Sequence, residues 1–218
     1  MNIRTLALAA VALLPFTAAH ATTSIDSAPR FTGGLLLQDT AYKIDDSFDV
    51  EGQILVAGYK AAINPRFAIG GGLGLMLDGE IGRGTKWGDG EGFRLFGDAQ
   101  YEIHRFNQNK VLLTGTLSHD RFSFSERNFD IDLTLTELKI GGLIMHDVRE
   151  FSIYGGLEVV AYSNGDYDIE NFSGDVKRDD RLNLRLGALF NATPAVDLRA
   201  DLLLLGEQTI LLACDFAL

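Results

Sequence analysis

Along most of the chain, apolar side chains recur at every second position, which is the period of a β-strand. In the segment 67–77, for example, Phe67, Ile69, Leu73 and Leu75 share one face, and small or polar residues occupy the other. An amphipathic helix would instead repeat its apolar residues at a period of 3.6. The pattern therefore predicts an all-β chain whose strands each have one apolar face.

The alternating segments are long, and ten of them follow one another. Strands of soluble proteins usually have about 5–6 residues, whereas a tilted strand that crosses a bilayer needs about 9–11. Short connections also alternate with longer, more polar ones, as in outer-membrane barrels. We therefore predict a ten-stranded antiparallel up-and-down transmembrane β-barrel, with eight strands as the alternative if a terminal hairpin is misassigned. The predicted strands are 31–42, 49–61, 67–81, 91–104, 111–122, 129–145, 151–162, 181–191, 196–205 and 209–218.

One predicted strand, 129–145, changes phase along its length. Ile131 and Leu133 are at odd positions, whereas Leu138 and Ile140 are at even positions. An extra residue in a strand shifts every later side chain to the other face. The pattern thus predicts a β-bulge near residues 136–137.

The N-terminus has the features of a secretory signal peptide over residues 1–21. Arg4 supplies the positive charge, Leu6–Phe16 is an apolar run of 11 residues, and Ala19-His20-Ala21 fits a cleavage site between small residues. The run is too short to span a bilayer as a helix. We expect cleavage, export, and a mature chain that forms a single barrel domain over residues 22–218.

Composition excludes several classes of partner and site. The chain has 19 Lys and Arg against 30 Asp and Glu, for a formal net charge of −11, which argues against nucleic acid as a partner. It has one cysteine, which excludes a disulfide framework and a cysteine-based zinc site.

Ionisable residues lie on the polar faces of the predicted strands. If the apolar faces contact lipid, these charges face the lumen, where an unpaired charge would cost several kcal/mol. Folding adjacent strands together predicts three pairs: Asp78 with Arg94, Arg185 with Asp201, and Arg199 with Asp215. The charges either fill the interior as a paired network or line a narrow wet channel. The predicted lumen network comprises Asp78, Arg94, Asp98, Arg185, Arg199, Asp201 and Asp215.

Aromatic residues of the apolar faces concentrate at the short-turn end of the predicted barrel. Aromatic rings favour the membrane–water interface, so this arrangement predicts an interface girdle at that end. The opposite end offers only Tyr42 and Phe93 as candidates. The predicted girdle residues are Phe31, Phe67, Tyr101, Phe151, Phe190 and Phe216.

No motif assigns catalytic or metal chemistry. Ser118-His119-Asp120 lies in one strand, where neighbouring side chains point to opposite faces, so His119 and Asp120 are poorly placed to pair. Asp166 and Asp168 lie in the longest predicted loop, but Asn171 and Lys177 stand where a calcium loop needs Gly and Glu. We predict no catalytic residue, metal or cofactor.

With its signal peptide, alternating body and terminal strand at residues 210–218, the chain resembles the small outer-membrane β-barrel proteins of the broad OmpA/OmpW-like, porin-type group. The terminal strand resembles the signal recognised by barrel-assembly machinery, although Phe216 precedes two further residues. The resemblance implies a cell-envelope protein in the outer membrane of a diderm bacterium, in contact with outer-membrane lipid. It also implies a non-enzymatic structural or surface-interaction role, with a narrow pore for small solutes also open. The alternatives are an outer-membrane enzyme that acts at the loop end and a soluble periplasmic ligand-binding barrel.

Overall fold

A computed structural model describes residues 29–43, 47–83, 85–126, 129–169 and 172–218. Throughout these residues the secondary structure is β-strand with tight turns, and no helix among them is long and apolar enough to cross a membrane. The predicted signal peptide lies outside the described residues and stays a prediction.

Twelve strands are described, and all pairings between them are antiparallel. They are β1 (Arg30–Lys43), β2 (Ser47–Asn64), β3 (Phe67–Arg83), β4 (Thr85–Trp87), β5 (Gly90–Phe106), β6 (Asn109–Glu126), β7 (Phe129–Val148), β8 (Phe151–Ile169), β9 (Phe172–Arg178), β10 (Leu182–Thr193), β11 (Val196–Leu205) and β12 (Glu207–Ala217).

Ten of these strands close into a barrel. Each strand pairs with the next, β5 follows β3, β10 follows β8, and β12 pairs with β1 to complete the wall. The predicted ten-stranded up-and-down barrel is confirmed. Two-residue turns at 65–66, 107–108, 149–150 and 194–195 define the short-turn end, and the opposite end is called the long-loop end.

The two additional strands lie at the long-loop end. β4 folds back on β3, and β9 folds back on β8. β9 also pairs with β1 through Tyr42↔Arg178 and Lys43↔Lys177. Because β10, β11 and β12 are only 10–12 residues long, β9 takes their place in the wall above their upper ends.

The outer face of the barrel carries a continuous apolar band. Leu73 and Leu95 are about half exposed on this face, whereas Asp201 is 2% exposed in the interior. The stretch from Phe67 to Leu77, at about 3.3 Å per residue on a strand tilted by about 40°, rises roughly 25 Å. This is the height of the lipid-facing band of outer-membrane barrels, so the apolar side chains face outward as predicted.

Strand β7 passes through both environments without a break. Its pairing with β6 is continuous, and the register shift in its pairing with β8, beside Leu138 and Lys139, has its extra residue at Ala161 of β8. The predicted bulge near residues 136–137 of β7 is therefore wrong. Odd-numbered residues point inward along the whole strand, but Leu133 and Leu135 are buried inside at the long-loop end, whereas Ile140 and Ile144 lie on the outer face lower down. Above the lipid band the surroundings are water, so the interior becomes the place where apolar side chains are buried.

Candidate functional site

The barrel encloses a cavity of about 370 Å³ that is lined by charged and apolar side chains. Its lining extends from Ala62 and Lys110, near the short turns, to Arg94, Lys139 and Glu207 below the long-loop end. Side chains of both charges line it, and this interior is the candidate functional site of the molecule.

The middle of the cavity holds a connected group of charges from β10, β11 and β12. Arg185 Nη2 lies 2.9 Å from Asp201 Oδ1, and Arg199 Nε lies 3.2 Å from Asp215 Oδ2. The Tyr154 hydroxyl donates to Asp201 Oδ1 over 2.6 Å, and Thr32 donates to Asp215. The structure thus brings together two of the three charge pairs expected from the sequence.

The third expected pair, Asp78 with Arg94, is wrong. Arg94 lies opposite Gly74 on β3 and Asp120 on β6. Its guanidinium makes a bidentate contact with Asp120, through Nε to Oδ1 at 2.7 Å and Nη2 to Oδ2 at 2.6 Å. The sequence could not indicate this partner without the register of β6.

Asp78 lies outside the lumen because β3 contains an unpredicted bulge. Gln53 pairs with Asp78 while its neighbour Ile54 pairs with Met76, so Leu77 is the extra residue. Beyond it the phase reverses, which buries Gly79 and exposes Asp78. Asp78 therefore does not belong to the interior charges.

Further interior pairs extend toward the short-turn end. Asp98 lies 3.5 Å from Lys60, whose Nζ donates to Gln100 Oε1 over 2.8 Å. Lower down, Arg30 pairs with Asp197, and Lys110 Nζ lies 2.7 Å from Asp147 Oδ2. The predicted lumen network includes Asp98 but not Arg30, Lys60, Lys110, Asp147 or Asp197. Their alternation with apolar residues nevertheless places them on the polar face.

The upper end of the cavity is bounded by a buried ionic group, which we call the anchor cluster: Glu137, Lys139, Arg178 and Glu207. Arg178 Nη2 and Lys139 Nζ each lie 2.6 Å from Glu207 Oε2, and Arg178 Nη1 lies 3.5 Å from Glu137 Oε1. The Arg178 guanidinium also stacks on Tyr42, 5.4 Å from the ring centroid. Sequence reasoning missed Arg178 and Glu207 because both lie in predicted connections.

The chemistry of Arg178, which lies above the lipid band, follows from these neighbours. Burial alone would lower the pKa of the guanidinium, but Tyr42, Glu207 and Glu137 outweigh burial and raise the pKa above its ordinary value. Arg178 therefore stays charged, and the anchor cluster joins β9 to β7 and β12 through charge-assisted hydrogen bonds.

Above the anchor cluster the interior is apolar. Most of the side chains there are less than 7% exposed, and Phe122 and Leu133 are 0% exposed. We call this group the upper apolar cluster: Tyr42, Val50, Ile54, Val56, Met76, Ile81, Phe122, Phe124, Ile131, Leu133, Leu135 and Val176. It fills the long-loop end of the described barrel with close-packed side chains and reaches down to the cavity at Val56.

The six aromatic residues of the predicted girdle lie at the short-turn end of the outer face. They form three cross-strand pairs, Phe31↔Phe216, Phe67↔Tyr101 and Phe151↔Phe190. The last two rings stack with centroids 4.6 Å apart. At the other end, Phe93 faces outward, but the expectation for Tyr42 is wrong because Tyr42 is buried in the upper apolar cluster.

The structure separates the residues of the Ser118-His119-Asp120 motif. Asp120 points inward to Arg94, whereas His119 is exposed and its Nδ1 lies 2.9 Å from Thr136 Oγ1. His119 and Asp120 therefore form no acid–base pair. Among the described residues, no group of three or more His, Cys, Asp or Glu is arranged to hold a metal ion.

Comparison with solved structures finds outer-membrane barrels. The outer membrane protease OmpT from Escherichia coli has a TM-score of 0.59 and 10% sequence identity, over 93% of this chain and 99% of that chain. The translocator domain of the autotransporter NalP from Neisseria meningitidis has a TM-score of 0.47 and 12% identity, over 99% and 94% of the two chains. An outer membrane channel from Pseudomonas putida F1 has a TM-score of 0.43 and 13% identity, over 93% and 99%.

No protein-family model and no curated protein matches the chain. At 10% identity, the likeness to OmpT concerns the fold alone. The fold is that of a bacterial outer-membrane β-barrel.

Proposed function

We propose that this protein lies in the outer membrane of a diderm bacterium as a structural or surface-interaction barrel, and that its lumen is closed to ions at the long-loop end. The upper apolar cluster is the observation that carries this proposal. A dry apolar constriction blocks ions because they would lose their hydration shell without gaining polar partners. The anchor cluster supports the same closure from below, since it holds β9 against the barrel.

A narrow pore for small solutes is the competing function, and the 370 Å³ cavity with its charged lining residues favours it. The cavity would have to continue past Phe122 and Leu133 to reach the long-loop end, and both side chains are fully buried. We therefore prefer a barrel that is filled rather than open.

The outward position of the apolar band supports a membrane barrel over a soluble periplasmic one. Export through a cleaved signal peptide, and recognition of β12 by barrel-assembly machinery, belong to the same proposal. The three aromatic pairs at the short-turn end are proposed to lie at the membrane–water interface.

Single-channel recording in planar bilayers tests closure. We expect the purified protein to give no stable conductance step. The variant Phe122→Ser/Leu133→Ser should admit water and produce measurable current, whereas the matched control Leu117→Ala, which removes apolar contact from the lipid face of β6, should stay silent. A heat-induced mobility shift on gels checks that each variant is folded. Stable conductance by the unmodified protein would overturn the proposed closure.

A further inference from the structure

The barrel wall is lowest at the upper ends of β10, β11 and β12, and a notch opens there on the outer surface. Its volume is about 500 Å³. The hairpin tip between β11 and β12 forms one side, and the segment that crosses from β9 to β10 forms another. The lining residues are Val159, Asp180, Arg181, Leu182, Leu205 and Gly206.

At the tip of the β11–β12 hairpin, the Leu205 side chain points outward, and its backbone is strained. Leu205 has a φ of 84°, in the left-handed region that favours glycine, and its side chain is 67% exposed. Glycine or asparagine would adopt this conformation more easily. A leucine that is both strained and exposed is unfavourable in water. Its position at the edge of the lipid band therefore indicates contact with an apolar partner.

The notch is preformed because its two sides are joined. Gly206 N donates to Leu182 O over 3.0 Å, and a Cβ at Gly206 would lie 2.9 Å from Leu182 O and 3.1 Å from Asp180 O. Arg178 of the anchor cluster donates from Nε to Asp180 O and from Nη2 to Gly206 O, each over 3.2 Å.

Arg181 places a positive charge at the edge of this apolar notch. Arg181 is exposed, and its guanidinium has no ion pair or side-chain hydrogen bond to any residue in the described part of the chain. Its carbonyl accepts a hydrogen bond from Val160 N, which fixes the backbone. Leu182, the next residue, is outward and exposed at the top of the apolar band, so Arg181 lies at headgroup height.

We propose that the notch binds a lipid with a phosphate-bearing headgroup in the outer leaflet, with the phosphate on Arg181 and an acyl chain against Val159, Leu182 and Leu205. Arginine suits a phosphate because its planar fork donates two parallel hydrogen bonds. The inference rests on the proposed membrane location and orientation. It does not require a closed lumen.

Native mass spectrometry of the full chain in nanodiscs tests this site. In phosphatidylcholine nanodiscs doped with phosphatidic acid, we expect the unmodified protein to retain phosphatidic acid selectively. Arg181→Gln should weaken retention of phosphatidic acid about tenfold, because it removes one charge-assisted contact with the phosphate. Leu205→Asn should also weaken retention while relieving backbone strain, so this variant stays folded. Asp180→Asn should preserve or strengthen retention, because it removes an anion from the notch.

The matched control is Arg121→Gln, which removes an exposed outward cation on β6 away from the notch. It should leave retention unchanged. Equal retention by Arg181→Gln and the unmodified protein would overturn the site, as would displacement of the lipid by inorganic phosphate alone. If Arg181→Gln and the unmodified protein retain the lipid equally while the bilayer recordings stay silent, the lipid site is wrong and the proposed closure stands. If the unmodified protein conducts but retains phosphatidic acid selectively, the closure is wrong and the lipid site stands.

Discussion

At the scale of single residues, the interior is organised by the cost of burying charge. Asp120, Asp197 and Asp201 are each 1–2% exposed, and each has a cationic partner. Removing one member of a buried pair is more costly than removing a surface pair, because the remaining charge is left without water or a partner.

The substitution Arg199→Leu tests whether the interior charges stabilise the barrel. Arg199 contacts Asp215 and lies 3.8 Å from Asp201, so its loss leaves Asp215 with Thr32 as its remaining side-chain partner among the residues that the structure describes. We expect a loss of about 3 kcal/mol in the free energy of unfolding, measured by urea unfolding in lipid vesicles.

The matched control is Arg66→Leu, which removes an exposed cation from the two-residue turn 65–66 at the short-turn end. The Arg66 side chain is in water, so we expect a loss below about 0.5 kcal/mol in the free energy of unfolding. Equal stability of Arg199→Leu and the unmodified protein would show that the interior charges contribute nothing to folding.

At the scale of elements, β9 is the strand that distinguishes this barrel from a simple ten-stranded cylinder. Its pairing with β1 covers only two residue pairs, whereas its last residue, Arg178, joins the anchor cluster. Val176 on the same strand is fully buried in the upper apolar cluster. The strand is therefore held more by side chains than by its hydrogen-bonded ladder with β1.

The substitution Arg178→Gln should loosen β9 selectively. It leaves Glu137 and Glu207 buried with one fewer cation, so we expect faster amide hydrogen exchange over residues 172–178 than in the lower barrel. The double variant Arg178→Gln/Glu207→Gln should recover part of the protection, because it also removes a buried anion. Lys177→Gln, at an exposed neighbouring position, is the control and should leave exchange unchanged. Additive losses in the double variant would contradict a coupled ionic anchor.

At the scale of the whole molecule, the strands pass from lipid to water, and the buried face changes its chemistry accordingly. Charges lie inside the part surrounded by the apolar band, and the upper apolar cluster lies inside the part above it. One continuous wall thus encloses paired charges beside a small apolar cluster of Leu112, Leu143 and Tyr154 below, and the upper apolar cluster above.

The substitution Leu73→Arg tests this placement. Leu73 lies near the middle of the band on β3, where an arginine facing lipid costs about 2–4 kcal/mol. Glu80→Arg, on the outer face of the same strand above the band, should cost less than about 1 kcal/mol because both side chains are in water. Equilibrium unfolding in lipid vesicles measures both values. Similar losses at the two positions would contradict a lipid-facing band at Leu73.

Much of the fold was predictable because strand periodicity is a local property. The alternation located all ten barrel strands, and the pairs Arg185–Asp201 and Arg199–Asp215 followed from hairpins with short connections. The partner of Arg94 did not follow, because a single extra residue at Leu77 changes the phase of β3 and register with β6 selects Asp120.

The sequence by itself determined that the chain forms long antiparallel strands with one apolar face, since that depends on each residue and its neighbours two positions away. Only the tertiary structure decided which face is enclosed with which partners, where the interior turns from polar to apolar, and that β9 completes the upper wall. These features depend on closure, register and the boundary between lipid and water, which bring together residues from distant strands and have no local signature.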